Sequence, residues 1–107
     1  MIRITEREDG IVEWELCADP CNEIGSGMLE ALETALDRLD PDHARALLIY
    51  SSIRKGFCAG ADLRELYAGM VETEADETGA QITDFIDRIH TVMNRLDTLP
   101  ITTVAAI

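Results

Sequence analysis

Residues 44–51, ARALLIYS, form an apolar run of strand length without clean alternation. A strand with one wet face alternates polar and apolar side chains. A run that does not alternate suits a sheet covered on both faces. Just upstream, Met28, Leu29, Leu32, Leu36 and Leu39 recur at helical spacing, so residues 26–39 read as a helix with one buried face. Ser26 stands where an N-cap belongs, and Asp40-Pro41-Asp42 ends the element. A helix feeding a doubly covered strand is the mark of an α/β fold.

The flanking segments extend that pattern. Residues 2–7 and 11–17 alternate across an Asp9-Gly10 turn and read as a hairpin, with Val12, Trp14 and Leu16 on its bulky face. Residues 18–25, ADPCNEIG, are a loop marked by Pro and Asn. After the loop at 52–61, a second helix starts at Asp62, with Glu65 three residues on as in a capping box. Leu63, Leu66, Tyr67 and Met70 mark its apolar face. Residues 72–79, ETEADETG, carry no core residue and read as an acidic connection or frayed helix end. A longer helix over 80–99 buries Ile82, Phe85, Ile86, Ile89, Met93 and Leu96. Pro100 stops it, and residues 101–107, ITTVAAI, read as another buried strand. Natural domains rarely end on an unprotected apolar strand. The expectation is therefore that residues 1–107 are one portion of a larger domain whose remainder is absent.

Composition narrows the function. The 107 residues carry 21 acidic and 9 basic side chains, a net charge of −12, which repels phosphate backbones and argues against nucleic-acid binding. No run of 18 apolar residues is present to span a membrane, and the polar start MIRITEREDG lacks the apolar core of a signal peptide. The expected location is cytoplasmic. Cys17, Cys21 and Cys58 are odd in number and have no ligand-spaced histidine, so reduced thiols are expected, with no disulfide framework and no metal site. His43 and His90 read as surface or helix residues.

The segment that carries chemistry is residues 56–66, GFCAGADLREL, between the apolar strand and the second helix. Gly56 and Gly60 allow backbone shapes closed to other residues, and the small Ala59 and Ala61 let a ligand approach the main chain. The helix start leaves unpaired N–H groups at the positive end of its dipole. Such a junction can donate hydrogen bonds to an oxyanion developing on a carbonyl. The plainer reading is a tight strand-to-helix turn that needs only small residues. Neither a dinucleotide fingerprint nor a P-loop is present.

FCAGADL, residues 57–63, resembles the hallmark segment of the enoyl-CoA hydratase/isomerase (crotonase) family. The order around it also resembles that family: hairpin, Pro-x-Asn loop at Pro20 to Asn22, amphipathic helix, apolar strand, hallmark loop, long helix and a Pro-led strand. The resemblance implies a crotonase-like ββα spiral, here its first half, assembled as trimers or hexamers. It implies that the Ala61 backbone N–H is one of two oxyanion donors to a thioester oxygen. It also implies that Asn22, Glu23, Ile24, Ala59, Gly60, Ala61, Asp62 and Leu63 line an acyl-CoA site, Ala59 near the adenine. Coenzyme A then enters as part of the substrate, with no separate cofactor. The second donor, and the glutamates that handle water and proton in a hydratase, belong to segments after residue 107, so Glu65, Glu72, Glu74 and Glu77 are not assigned catalysis.

The implied reaction is water addition to a 2-enoyl-CoA through a stabilised enolate. An isomerase or another reaction of the family uses the same half-site, and a non-catalytic acyl-CoA-binding or assembly fragment is the reading from a different class. One departure bears on the ligand. The family loop often has a basic residue before its Asn and Ala-Leu after it, whereas Cys21 precedes Asn22 and Glu23-Ile24 follow it. Glu23 repels phosphate; Arg54, Lys55 and Arg64 flank the hallmark and are placed to supply the positive charge instead.

Overall fold

The computed structural model describes residues 1–72 and 74–107. Strands β1 (Ile2–Glu6) and β2 (Ile11–Leu16) pair antiparallel, with Ile4 opposite Trp14. The turn between them closes through Gly10, whose φ of 87° is one that glycine adopts without strain. Helix α1 (Ser26–Arg38) then carries the chain to β3 (Ala46–Ser51), parallel to β2. Helices α2 (Leu63–Glu72) and α3 (Ala75–Asp97) carry it to β4 (Thr102–Ala106), parallel to β3. The sheet order is β1-β2-β3-β4. The expected hairpin and α/β crossovers are all present.

One face of the sheet makes the core. Val12, Trp14 and Leu16 from β2 and Leu47 and Ile49 from β3 meet Met28, Leu29, Leu32, Ala35 and Leu36 from α1 and Val92 from α3. The opposite face is only half-buried: Ile11, Glu13 and Glu15 on β2, and Ala46, Leu48 and Tyr50 on β3. The expectation that 44–51 is covered on both faces is therefore corrected. Its side chains alternate between buried and half-buried, because all helical packing onto the core comes from one side. Likewise β4 is exposed along its length, since it is the edge strand and no helix lies over it.

The helices depart from expectation at their ends. α1 begins at Ser26, not after it; Gly25 is its N-cap and supplies no side-chain bond. α3 starts at Ala75, five residues earlier than the apolar pattern gave, with Asp76 and Glu77 in its first turn, where the helix dipole favours acids. Most of the acidic stretch at 72–79 is thus helical; Thr73 within it lies outside the described residues. The inward face of α3 is Ile82, Phe85, Ile89, Val92 and Leu96, while Ile86 and Met93 point out. On α2 only Leu66 of the expected stripe is half-buried; Leu63, Tyr67 and Met70 are exposed.

Two ion pairs clip α3 to α1: a forked Arg88–Glu33 contact, with Nε donating to both carboxylate oxygens at 3.2 Å, and Arg95–Asp37 at 2.9 Å. The hydrogen bonds from Arg88 hold the Glu33 carboxyl below its ordinary value of 4.5. A carboxyl depressed in the folded state stabilises above its unfolded pKa, and that stability is lost as pH falls through the folded pKa. Both partners are part-exposed, so the effect is small. The expected outcome is that Arg88→Met lowers stability at pH 7 and flattens its loss below about pH 4.5, read from urea midpoints across pH. An acid limb as steep in Arg88→Met as in the parent would count against the pair.

Candidate functional site

The site forms where the loop after β3 meets the loop after β2. Gly56 and Gly60 both have positive φ, 142° and 88°. A Cβ at either would meet nothing within 4 Å, so glycine is required for conformation and the space in front of the backbone is open. The loop is laced to residues 21–24 almost residue by residue. The Asn22 side-chain amide donates to the Phe57 carbonyl at 2.9 Å, and the Cys58 thiol donates to the Asn22 carbonyl at 3.2 Å. The Ala59 N–H donates to Cys21 O at 3.0 Å, and the Ile24 N–H to Gly60 O at 2.7 Å. The Asp62 N–H donates to Ile24 O at 2.8 Å.

Ala61 is the residue this lacing skips. It pairs with Ile24 as an isolated parallel bridge, in which the bonds run through its neighbours' Gly60 carbonyl and Asp62 N–H. The Ala61 N–H therefore faces away from residue 24, and among the described residues it has no acceptor. Behind it, Asp62 caps α2: its Oδ1 accepts from the N–H groups of Arg64 and Glu65 at 3.1 and 3.2 Å. The expected cap is present.

The expected role of Glu65 changes. It does not reach back to Asp62 as in a capping box. Both of its oxygens accept the Ser26 N–H at 3.1 Å, so it caps α1 from α2. The reason is that Gly25 leaves α1 without a cap of its own and leaves room for the carboxylate: a Cβ at Gly25 would collide with a Glu65 oxygen. A glycine ahead of a helix with no acid in its first turn was the available signal.

The other expected site residues gather here. Ala59, Gly60 and Leu63 are exposed; Glu23, Ile24, Ala61 and Asp62 are half-buried. Asn22 is the exception, 1% exposed, with its side chain wholly engaged by the protein. Arg54, Lys55 and Arg64 are exposed and make no ion pair among the described residues. Open backbone N–H groups at the head of a capped helix, among them that of Ala61, with exposed cations in the same loop and helix, suit a polarised carbonyl on an anionic carrier.

The sequence profile described as enoyl-CoA hydratase/isomerase matches residues 19–107. The chain belongs to that family. The human mitochondrial methylglutaconyl-CoA hydratase is 32% identical over 87 residues, 80% of this chain and 23% of that protein. An enoyl-CoA isomerase/hydratase of Zymoseptoria tritici is 36% identical over 90 residues, 80% of this chain and 27% of that protein. The crystal structure of an enoyl-CoA hydratase/isomerase family protein from Silicibacter pomeroyi superposes with a TM-score of 0.76 at 30% identity, over 98% of this chain and 42% of that one. The crystal structure of the Bacillus anthracis enoyl-CoA hydratase shares the fold, with a TM-score of 0.78 at 24% identity, over 97% of this chain and 38% of that one. The chain thus spans about a quarter of the length of these curated relatives and about two fifths of these solved structures. Its crotonase-like fold is that of the family. Among the described residues no helix is long and apolar enough to cross a membrane.

Proposed function

We propose that this chain supplies the first half of an acyl-CoA site, in which the Ala61 N–H donates to the thioester oxygen and so favours its enolate. The observation that carries this is the unspent Ala61 N–H inside a loop whose other residues from Phe57 to Asp62 are all bonded to residues 21–24. Non-titrating backbone donors hold an oxyanion at any working pH, and fixed ones need no rearrangement as charge develops. Asp62 contributes by fixing the helix start, not by contact with the thioester. Arg54, Lys55 and Arg64 take the carrier's phosphates, in place of the loop at Asn22, where Glu23 opposes them.

The acyl group runs along α2. A cavity of about 150 Å³ between α2 and α3 is lined by Leu66, Gly69, Met70, Ile82 and Phe85. Gly69 lies eight residues beyond Ala61, about 12 Å at 1.5 Å per residue. Hydration of a 2-enoyl-CoA is the reaction proposed for the whole enzyme, as the human relative is a hydratase; isomerisation is the alternative for the same half-site. The acids that separate them are proposed to lie after β4. The exposed edge strand β4 is the surface proposed for assembly into a homo-oligomer, and an aqueous, cytoplasmic setting is part of the same proposal.

The test is binding without turnover. The 107-residue chain is expected to bind a 2-enoyl-CoA, shifting the Ala61 amide resonance, while leaving the substrate unhydrated. Unperturbed resonances from residues 57–63 at saturating ligand would remove the proposal, and steady hydration of crotonyl-CoA by the pure polypeptide would overturn the expectation that it is inactive alone.

A further inference from the structure

We propose that Asn22 is a positioning residue of the acyl-thioester site, one that touches no ligand and instead fixes the loop that presents the Ala61 N–H. This rests on the reading of Ala61 as the donor. Asn22 is the one buried polar side chain among the described residues, 1% exposed, and it stands at a φ of 52°. Its amide joins three segments. Oδ1 accepts the Ala18 N–H at 2.7 Å, closing the 18–22 turn on itself together with the bond from the Asn22 N–H to Ala18 O at 2.8 Å. Nδ2 donates to Ser51 Oγ at 2.9 Å, at the end of β3, and to Phe57 O at 2.9 Å, in the loop. Leu16 O, at the end of β2, lies 3.4 Å from the same nitrogen. The two hydrogens of Nδ2 are accounted for by Ser51 and Phe57, which leaves no donor for a ligand, and burial keeps Oδ1 from one.

The backbone of Asn22 completes the junction. Its carbonyl accepts the Cys58 thiol, while Cys21 bonds Ala59 and Ile24 bonds Gly60 and Asp62. Without the side chain, the Phe57 carbonyl and the Ala18 N–H lose their protein partners, and residues 57–62 are held to 21–24 only by backbone bonds and the Cys58 thiol. An oxyanion donor works only when its N–H is held at hydrogen-bond distance from where charge develops. Asn is also among the few side chains that tolerate a left-handed backbone. That requirement for shape and two-way hydrogen bonding together is met by Asn and by no aliphatic residue.

The decisive variant is Asn22→Gly, which keeps the positive φ without strain and removes only the amide. Hydrogen exchange by NMR on the 107-residue chain is expected to show the Ala59, Ile24 and Asp62 amides losing protection by about tenfold, with Trp14 and Leu47 amides unchanged. Ser51→Ala, which removes one Nδ2 acceptor and leaves Phe57 bonded, is expected to show a smaller loss at the same amides and guards against a variant that fails to fold. In the same samples the affinity ratio of an enoyl-CoA to CoA itself is expected to fall toward one, because the carbonyl contact is lost and the carrier contacts stay. A merely structural role would weaken both ligands alike. Unchanged loop protection in Asn22→Gly, or equal losses in loop and core, would overturn the proposal. Binding of neither ligand by the parent chain would remove the thioester reading, and the exchange result alone then decides whether Asn22 holds the loop.

Discussion

Trp14→Ala is expected to cost about 3–5 kcal/mol of stability, a large part of the roughly 5–15 kcal/mol available to a domain of this size. Trp14 is 0% exposed and is the largest fully buried side chain. It sits mid-way along β2, opposite Ile4 and in register with Ile49, and lies in the cluster formed with α1. Truncation removes its transfer free energy and leaves a cavity that the flanking strands, tied by their ladders, cannot close. Trp14 also carries a buried Nε1–H with no partner among the described residues. An unpaired buried donor costs about 1–3 kcal/mol, so Trp14→Phe sheds that penalty while losing part of the area. Urea unfolding followed by circular dichroism should therefore rank the parent and Trp14→Phe close together, with Trp14→Ala far below. A midpoint for Trp14→Ala near that of Trp14→Phe would show that this ring does not anchor the sheet.

The order of elements and most of the core were legible in the sequence because periodicity reports burial directly. Val12, Trp14 and Leu16 alternate as a half-covered strand must, and Met28, Leu29, Leu32 and Leu36 repeat as a one-sided helix must. The pattern misled where apolar residues are not yet buried. Residues 102–106 have the composition of an interior strand but occupy the sheet edge, and the stripe Leu63, Tyr67 and Met70 stays exposed on α2. Composition states that a face is apolar, not whether anything described covers it. Val92 escaped notice because Met93 beside it also fits a helical stripe. One residue is a 100° turn, enough to exchange an inward side chain for an outward one.

The candidate site divides along another line. Its location, at glycines before an Asp-capped helix, was visible because turn chemistry is local. The contacts that shape it were not, because they join distant segments. Asn22 reaches Phe57 across 35 positions, and Glu65 reaches Ser26 across 39. Single residues of ordinary type give no periodic signal: the Asn22 side chain bonds Ala18, Ser51 and Phe57, and Glu65 bonds Ser26 instead of its own helix start. The bridge between Ile24 and Ala61 belongs to the same class, yet it turns the Ala61 N–H away from residue 24.

Ala61→Pro is the substitution that removes that N–H directly. The bridge uses the Gly60 carbonyl and the Asp62 N–H, so neither of its bonds passes through the atom that proline lacks. A 3-ketoacyl-CoA ionises to an enolate whose oxygen carries the charge proposed for the Ala61 donor. Loss of a hydrogen bond to a charged group costs about 1.5–3 kcal/mol, about a ten- to hundredfold loss in enolate affinity. Affinity for CoA itself, which has no carbonyl at that position, is expected to stay within about twofold, since the proposed phosphate contacts at Arg54, Lys55 and Arg64 are untouched. Ala61→Gly, which keeps the donor, is expected to bind both ligands as the parent does. Protection of the Asp62 amide in each variant reports whether the bridge has survived, separating a lost donor from a displaced loop. If Ala61→Pro keeps full enolate affinity with that amide still protected, the thioester oxygen takes its hydrogen bond from another group, and the open N–H of Ala61 is a feature of the turn alone.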